Sequence, residues 1–211
     1  DHPWTVHLGE MWASFLHYQQ EILAFHTGDY IKNVEPHPYG SHPISWLFMA
    51  RPLGVDSVTD IQPGVDGCQA EVGQTCLRVI SAMGTPVLWW MAAVALVVAI
   101  IWWIGGRDWR FGVPVVAALA TYLPWFASTE RELFFFYAIT IIPFTVIALA
   151  MVMGLILGPA NGRHRRRGAI LVGVAVSLVA ANFAWIYPVL TDGLLVYQTE
   201  YLARMWLRSW I

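Results

Sequence analysis

The chain has 211 residues, of which 57% are hydrophobic and 12% are charged, with a formal net charge of -2 and a mean hydropathy of +0.54. Soluble domains carry roughly twice that share of charged residues, so this composition excludes an ordinary soluble domain and indicates an integral membrane protein. The twelve tryptophans favour the same class, because indole rings collect at membrane–water interfaces. The small net charge says little about partners, but the absence of a basic face outside two short loops predicts no nucleic-acid partner.

Residues 1–86 differ from the rest of the chain and open with an amphipathic pattern. Apolar residues recur at helical spacing at Leu8, Met11, Trp12, Phe15, Leu16, Ile22 and Leu23. This predicts a helix over about 4–27 that ends near Gly28, where glycine can adopt the left-handed conformation. The helix could pack on the rest of the domain or lie in the membrane interface, and its tryptophans favour the interface.

The chain starts at Asp1 without a basic segment followed by a short apolar core. This pattern predicts no signal peptide, and we expect the chain to be part of a longer polypeptide or a processed product.

Residues 36–67 are rich in Pro, Gly, Asp and Ser, which predicts an ordered loop. A short strand pair is expected near 47–49 and in the region 68–76. Cys68 and Cys76 are the two cysteines of the chain, and a disulfide between them is the favoured interpretation in a compartment that permits one. Two free thiols are the alternative, since the sequence does not reveal their geometry.

Four apolar segments predict an all-α integral membrane fold in which residues 87–190 supply four transmembrane helices. The expected spans are about 87–104, 109–127, 133–157 and 169–190. Pro143 is expected to kink the third span. Residues 191–211 are expected to form a tail on the membrane surface, because Trp206 and Trp210 favour the interface.

Half of the twelve basic residues fall in two short loops, one between Gly105 and Phe111 and the other between Gly158 and Gly168. Short loops rich in Lys and Arg stay in the cytoplasm. The sequence therefore predicts a multi-pass plasma-membrane protein with these Arg-rich loops in the cytoplasm and both ends of the chain outside it.

Polar and aromatic side chains gather in residues 37–51, beside the first span. They are His37, Tyr39, Ser41, His42, Trp46 and Arg51. Rings and hydroxyls of this kind suit a sugar site, although a rigid Pro-rich loop whose polar groups satisfy one another is an equal alternative. The spacing offers no third ligand beside His37 and His42, so no metal site is predicted.

Arg131 precedes an aromatic run that includes Phe134, Phe135 and Tyr137. A guanidinium at the mouth of a membrane helix lies where a lipid phosphate would lie, and its fork matches two phosphate oxygens. The alternative is an ion pair with Glu130 or Glu132. The chain lacks a Gly-rich phosphate loop, a nucleophile elbow and an H-E-x-x-H pair, so no catalytic residue is assigned within it.

Short fragments spread along most of the chain resemble the C-terminal four-helix region of bacterial, actinobacterial-type protein O-mannosyltransferases. They are Phe25-His26, residues 37–41, Ser45-Trp46, Arg51-Pro52, residues 83–90, Arg107-Asp-Trp109, Leu123-Pro-Trp125, residues 131–137 and Pro143-Phe144. Thr85 departs from the pattern, because many relatives are expected to have Asn there. Residues 55–75 do not resemble the larger β-trefoil insert of the eukaryotic enzymes, which favours a bacterial source.

The resemblance implies a larger fold of the GT-C type that transfers mannose from polyprenyl-phosphate-mannose to Ser or Thr hydroxyls of exported proteins, with inversion. It implies membrane lipid, the lipid-linked donor, acceptor polypeptides and the remainder of the same enzyme as partners, and no certain cofactor. The family's catalytic acidic pair lies in an earlier extracytoplasmic loop, so the base is expected upstream of this chain, and the chain alone is expected to be inactive.

The resemblance also implies roles for individual residues. Arg131 would contact the carrier phosphate, while His37, Tyr39, Ser41 and Trp46 would shape the pocket for sugar or acceptor. Phe134, Phe135 and Tyr137 would border the lipid chain. The competing interpretations are a non-catalytic membrane assembly or lipid-binding module, a lipid-linked transferase of another sugar, and half of a transporter.

Overall fold

Four apolar helices form a bundle in the computed structural model, which describes residues 9–28 and 35–211. They are α2 (Pro86–Gly105), α3 (Trp109–Tyr122), α4 (Ile142–Leu157) and α5 (Arg165–Leu190). Helix α4 packs against each of the other three and so lies at the centre of the bundle. Short connections at Gly106–Asp108 and at residues 158–164 make α2 and α3, and α4 and α5, antiparallel neighbours.

Helix α2 shows how the sequence directs this packing. Pro86 stands in its first turn, where a fixed φ suits a helix and the missing N–H is no loss. Ala92, Ala95 and Ala99 recur on one buried face, and small side chains let neighbouring backbones approach closely. The opposite face exposes Val94, Val97 and Ile101, as a lipid-facing or partner-facing surface does.

Three helices in the described part of the chain are long and apolar enough to cross a membrane. They cover Pro86–Gly105, Trp109–Ser128 and Arg165–Leu190, the second including a 3₁₀ extension over Leu123–Ser128. Helix α4 has 16 residues, or about 24 Å at 1.5 Å per residue, which is short for the hydrocarbon core.

The prediction of one continuous, kinked helix over 133–157 was wrong. Phe134 is extended, Phe135–Thr140 is a 3₁₀ helix, and the α-helix begins only at Ile142. Pro143 lies in the first turn of α4 rather than inside it, because proline is accommodated where no intrahelical N–H bond is needed.

The fold is mostly helical, as predicted, but it is not all-α, because three strands form an antiparallel sheet in the order β1-β2-β3. The strands are β1 (Leu53–Ile61), β2 (Cys76–Ala82) and β3 (Leu195–Val196). Residues 47 and 48 lie instead in a 3₁₀ helix, Pro43–Phe48, and Met49 ends it at a left-handed φ of 52°. Strand β1 is exposed along most of its length, so its sequence lacks the alternation of apolar and polar residues that predicts a half-buried strand.

Cys68 and Cys76 form a disulfide, with Cα atoms 5.8 Å apart. Both residues are buried beside Ile61, where they close a small apolar cluster at the end of the sheet. The bridge therefore joins the loop that follows β1 to the start of β2.

Helix α1 (Glu10–Thr27) has no buried residue, and Met11, Trp12 and Phe15 are exposed. The predicted start of this helix, before Gly9, lies outside the described residues. The left-handed conformation expected at Gly28 was wrong, because φ there is -75° and the chain leaves the helix in an extended conformation.

The C-terminal segment folds back onto the sheet and the bundle. It comprises a π-helical turn (Tyr197–Tyr201), α6 (Leu202–Arg204) and a 3₁₀ turn (Arg208–Trp210). Trp210 is only 6% exposed, so it belongs to the core rather than to a membrane-surface tail, whereas Trp206 is 44% exposed.

Three indole groups hold the end of the 3₁₀ helix Pro43–Phe48. Trp89 donates to the carbonyl of Trp46 at 2.8 Å, Trp90 to that of Phe48 at 3.0 Å, and Trp210 to that of Met49 at 2.7 Å. Carbonyls at a helix end have few partners within the helix, and although the Trp46 carbonyl also accepts from the N–H of Met49, the three indoles supply partners for this end and tie it to α2 and to the C-terminal segment.

The arginines that suggested a topology lie at one end of the bundle. Asp108 caps α3 and pairs with Arg110 at 2.6 Å, and this hydrogen bond lowers the pKa of the Asp108 carboxyl. Arg165, Arg166 and Arg167 form the first turn of α5, so the expected loop up to Gly168 ends earlier. Positive charge opposes the helix dipole there, and Arg165 also donates to the carbonyl of Gly158 at 2.5 Å.

Candidate functional site

Arg131 lies on the short connection between α3 and α4, at the end of the bundle opposite the Arg-rich turns. One guanidinium nitrogen, Nη1, is 3.3 Å from Nδ1 of His26, and the other, Nη2, donates to the hydroxyl of Tyr137 at 3.2 Å. The same guanidinium lies over the Tyr137 ring, 5.8 Å from its centre. Its Nε is buried and has no hydrogen-bond partner among the described residues.

The alternative ion pair between Arg131 and Glu132 does not form. No salt bridge joins these two side chains in the described structure, where Arg131 contacts His26 and Tyr137 instead. A guanidinium that is not paired with a carboxylate keeps its positive charge available for another anion.

A cleft of about 250 Å³ opens beside Arg131. The backbone of Ser41 donates to the carbonyl of Leu133 at 2.7 Å, which joins the loop of residues 36–43 to the Arg131 segment. Space is tight at Gly40, because a Cβ there would displace the carboxylate end of Glu132, 2.5 Å away, and would lie 3.0 Å from the carbonyl of His37. The side of the cleft is formed by His37, Gly40, Ser41, His42, Arg131 and Glu132.

Hydrogen bonds to nearby backbone N–H groups orient the rings of the two histidines in the cleft. Nδ1 of His37 accepts from the N–H of Tyr39 at 3.1 Å, and Nδ1 of His42 accepts from that of Ile44 at 3.3 Å, where it caps the 3₁₀ helix. In both rings the remaining Nε2 is then the N–H donor of the neutral form. Within residues 9–28 and 35–211, no group of three His, Cys, Asp or Glu side chains could hold a metal ion.

Aromatic rings form a continuous strip from the cleft towards the bundle. Tyr137 stacks on Trp125 with ring centres 4.6 Å apart, and Phe136 lies 4.4 Å from Tyr137. Phe134 stacks on Phe136 at 5.9 Å and touches His37 at 5.3 Å. Phe135 points the other way: it is buried and packs on Trp89, so its ring belongs to the core.

Three residues grouped with the cleft by the sequence lie elsewhere. Trp46 is fully buried behind the cleft, and its indole donates to Oγ of Ser41 at 3.0 Å. Arg51 donates to the carbonyls of Pro38, Ser209 and Ile211, and it covers the ring of Tyr39 at 5.2 Å. Tyr39 and Arg51 therefore connect the loop to the C-terminal segment, away from Arg131.

Four residues that the structure brings to the site had been assigned no site role from the sequence: His26, Glu132, Trp125 and Phe136. Glu132 is next to Arg131, and Phe136 lies between Phe135 and Tyr137. The sequence pointed to this segment but did not show which of its residues belong to the site. Trp125 and His26 approach Arg131 or Tyr137 only through the tertiary fold.

The fold and the site define a class, a helical membrane bundle with a cationic cleft at one end. Residues 11–210 match the family described as the C-terminal four TMM region of protein-O-mannosyltransferase. The chain belongs to this family.

Curated relatives from three organisms, with similar sequence identities to this chain, share one name. The chain is 39% identical, over 98% of its length, to a polyprenol-phosphate-mannose–protein mannosyltransferase of Mycobacterium tuberculosis, and it covers 38% of that protein. Proteins of the same name from Mycolicibacterium smegmatis and Corynebacterium glutamicum are 37% and 34% identical over 93% and 94% of the chain, and the chain covers 37% of each. The chain thus spans little more than a third of the curated relatives it matches.

A solved structure has the same fold. The Saccharomyces cerevisiae protein O-mannosyltransferase Pmt1-Pmt2 complex bound to the sugar donor matches with a TM-score of 0.68 at 16% identity. The match covers 96% of this chain and 27% of the yeast chain.

Proposed function

We propose that this chain is the carrier-binding part of an enzyme that transfers mannose from polyprenyl-phosphate-mannose to Ser or Thr hydroxyls of exported proteins, with inversion at the sugar. Membership of the mannosyltransferase family and the names of the curated relatives support the reaction. The base that activates the acceptor hydroxyl is proposed to come from the part of the enzyme that the relatives have beyond this region.

The observation that carries the proposal is the state of Arg131. Its guanidinium contacts His26 and Tyr137 rather than a carboxylate, its Nε has no partner in the described structure, and it stands between a polar cleft and an aromatic strip. A lipid phosphate needs a cation at the level where its apolar chain ends and its sugar begins. Within the described chain, Arg131 is the basic residue that borders both the polar cleft and the aromatic strip.

The remaining groups follow from that placement. The phosphate contacts Arg131, the mannose and the acceptor hydroxyl occupy the cleft beside His37, Ser41 and Glu132, and the lipid runs along Phe134, Phe136 and Tyr137. Trp46 acts from behind by holding the Ser41 hydroxyl, and Phe135 supports the strip by packing on Trp89. Tyr39 and Arg51 hold the wall of the cleft to the C-terminal segment.

The proposed location is the plasma membrane, with four spans. The Arg-rich turns lie in the cytoplasm, and both ends of this chain lie outside it. The disulfide supports this orientation, because it lies at the end of the bundle opposite the arginines, and disulfides persist in oxidising compartments. Helix α4, although short, would complete its span together with the 3₁₀ helix before it.

The test is transfer of mannose from polyprenyl-phosphate-mannose to an acceptor peptide by the full-length enzyme in lipid nanodiscs. Arg131→Ala should lower kcat/KM by about 100-fold, as the loss of a preorganised contact to developing charge does. The kcat/KM of Arg131→Lys should lie between the values of the wild type and of Arg131→Ala, because lysine keeps the positive charge but lacks the two-pronged guanidinium. Arg208→Ala, at an exposed arginine of the C-terminal segment, is the matched control and should leave the rate unchanged.

Unchanged transfer by Arg131→Ala, at normal protein level, would remove Arg131 from the site. If transfer per folded molecule stays normal while the protein becomes less stable, Arg131 is a structural tie between α1 and the bundle. If the wild-type enzyme transfers no mannose but still binds polyprenyl phosphate, the chain is a lipid-binding module instead.

A further inference from the structure

A second concave surface lies across the sheet, apart from the cleft at Arg131. It is a groove of about 720 Å³ whose lining includes Leu77 and Val79 of β2 and most of β1, from Gly54 to Asp60. Its walls include Tyr39, Tyr197, Tyr201 and Ile211. A groove of this size falls in the range of small-ligand sites.

Three tyrosines give the groove its chemistry. The rings of Tyr197 and Tyr201 stack with centres 5.8 Å apart and an angle of 21° between their planes. In the portion of the chain that the structure describes, the hydroxyls of Tyr39, Tyr197 and Tyr201 have no hydrogen-bond partner. Burial, with the nearby Tyr39 and Tyr197, raises the pKa of Tyr201, so its hydroxyl stays neutral and able to donate.

Carboxylates and small hydroxyls complete the lining. Asp56 and Asp60 are exposed on β1, and Thr59 and Thr75 lie beside them. No Lys, Arg or His is among the residues that line the groove. This charge pattern disfavours phosphate, so the groove is not a second site for the lipid-linked donor.

Strand β1 is also the free edge of the sheet, which raises the question of strand addition by a polypeptide. Its pairing with β2 is irregular between Gly54 and Asp56 and again between Val58 and Ile61. Irregularities of this kind twist an edge and discourage a further strand. Stacked rings, unpaired hydroxyls and carboxylates without cations are instead the groups that bind a neutral sugar, through its apolar face and its hydroxyl edges.

We propose that this groove is a non-catalytic binding site for a neutral hexopyranose unit of a glycan. The sugar's apolar face lies on the Tyr197 ring, and its hydroxyls donate to Asp56 and Asp60 and accept from Tyr201. The site would hold sugar that is already attached to a polypeptide while the cleft at Arg131 acts on another hydroxyl. Only that last statement, and the choice of mannose as the probe, rest on the proposed function.

The experiment titrates methyl α-D-mannopyranoside onto the full-length protein in nanodiscs and measures binding by ligand-detected saturation-transfer NMR. Tyr197→Ala, and the pair Asp56→Asn with Asp60→Asn, should each weaken binding at least tenfold. Asparagine suits position 60, whose φ is 58°. Tyr18→Ala on exposed α1 and Asp66→Asn outside the groove are matched controls and should bind as the wild type does.

Binding should persist in Arg131→Ala, which separates the groove from the transferase cleft. The proposal is overturned if the wild type does not bind the mannoside, if the groove variants bind it equally well, or if an unglycosylated acceptor peptide binds and is lost in the same variants. A wild type that transfers mannose without groove binding leaves the proposed function intact. Groove binding in a protein that transfers no mannose leaves this inference intact and removes the proposed function.

Discussion

The bundle and the cap that covers one end of it are held together in different ways. The cap comprises residues 35–85 and 191–211, with the sheet, the cleft loop and the C-terminal segment. In the bundle, apolar faces such as Ala92, Ala95 and Leu149 pack without polar contacts. In the cap, hydrogen bonds join segments more than 150 residues apart, as between Arg51 and Ser209 or between Trp210 and Met49.

This difference has a physical origin. A membrane helix satisfies its own backbone, so its neighbours need only fit its shape. The cap is made of short, irregular pieces whose carbonyls have no partners of their own, and side chains from distant parts of the chain supply them. We therefore expect single substitutions to damage the cap through lost hydrogen bonds and the bundle through steric misfit.

The largest effect is expected at Trp210. Trp210→Ala should destabilise the protein by about 3–5 kcal/mol, because it empties a buried site and leaves the Met49 carbonyl unpaired. The thermal unfolding midpoint in detergent measures the loss. Trp206→Ala is the control, since Trp206 is much more exposed, and equal losses in the two variants would contradict the anchoring role of Trp210.

The disulfide is expected to matter to the cap alone. The double variant Cys68→Ser with Cys76→Ser should lower stability by roughly 2–3 kcal/mol, because the loop following β1 loses its constraint. Amide hydrogen exchange should accelerate in Cys76–Ala82 and not in α2. Faster exchange in both regions would show that the cap and the bundle unfold as one unit, and it would refute the distinction drawn between them.

In the bundle the sharpest test is Gly168, at the close approach of α4 and α5. A Cβ there would meet the carbonyl oxygen of Ile156, which is backbone and cannot move aside. Gly168→Ala should therefore cost about 1–3 kcal/mol, measured as a fall in the unfolding midpoint. Gly173, on the same helix, has open space around it, and Gly173→Ala should instead stabilise by about 0.5–1 kcal/mol. Two changes of the same sign would refute steric misfit as the cause.

The smallest effect is expected at Asn182, where the two regions meet. Its carbonyl oxygen accepts from the N–H of Val87 at 2.9 Å and so caps the start of α2 from α5. Loss of a helix cap costs about 1 kcal/mol, and the alanine also removes an amide nitrogen that is buried without a partner in the described structure. Asn182→Ala should therefore lower the unfolding midpoint slightly, and Ser177→Ala on an exposed face should not. A loss as large as that of Trp210→Ala would place Asn182 in a wider polar network.

Several features of the candidate site could be read from the sequence because they depend on neighbours along the chain. Arg131 next to the aromatic run, and Ser41 beside His37, are examples. The assignment of Trp46, Arg51 and Phe135 depended instead on where their side chains point. Successive side chains of a 3₁₀ helix point about 120° apart, which sends Phe135 into the core and Phe136 outwards, and no pattern of six residues distinguishes the two.

By itself the sequence determined the membrane class, the places of three of the four apolar helices, the Arg-rich turns at one end and the family. These depend on long apolar runs and on charges that the bilayer sorts, so local composition is enough. Only the tertiary structure decided the sheet, the start of α4 at Ile142, the buried position of Trp210 and the separation of the groove from the cleft. Each of these is set by partners far away in the chain, because an exposed edge strand or an irregular turn becomes stable only when β2, the indoles or the C-terminal carbonyls complete its hydrogen bonds.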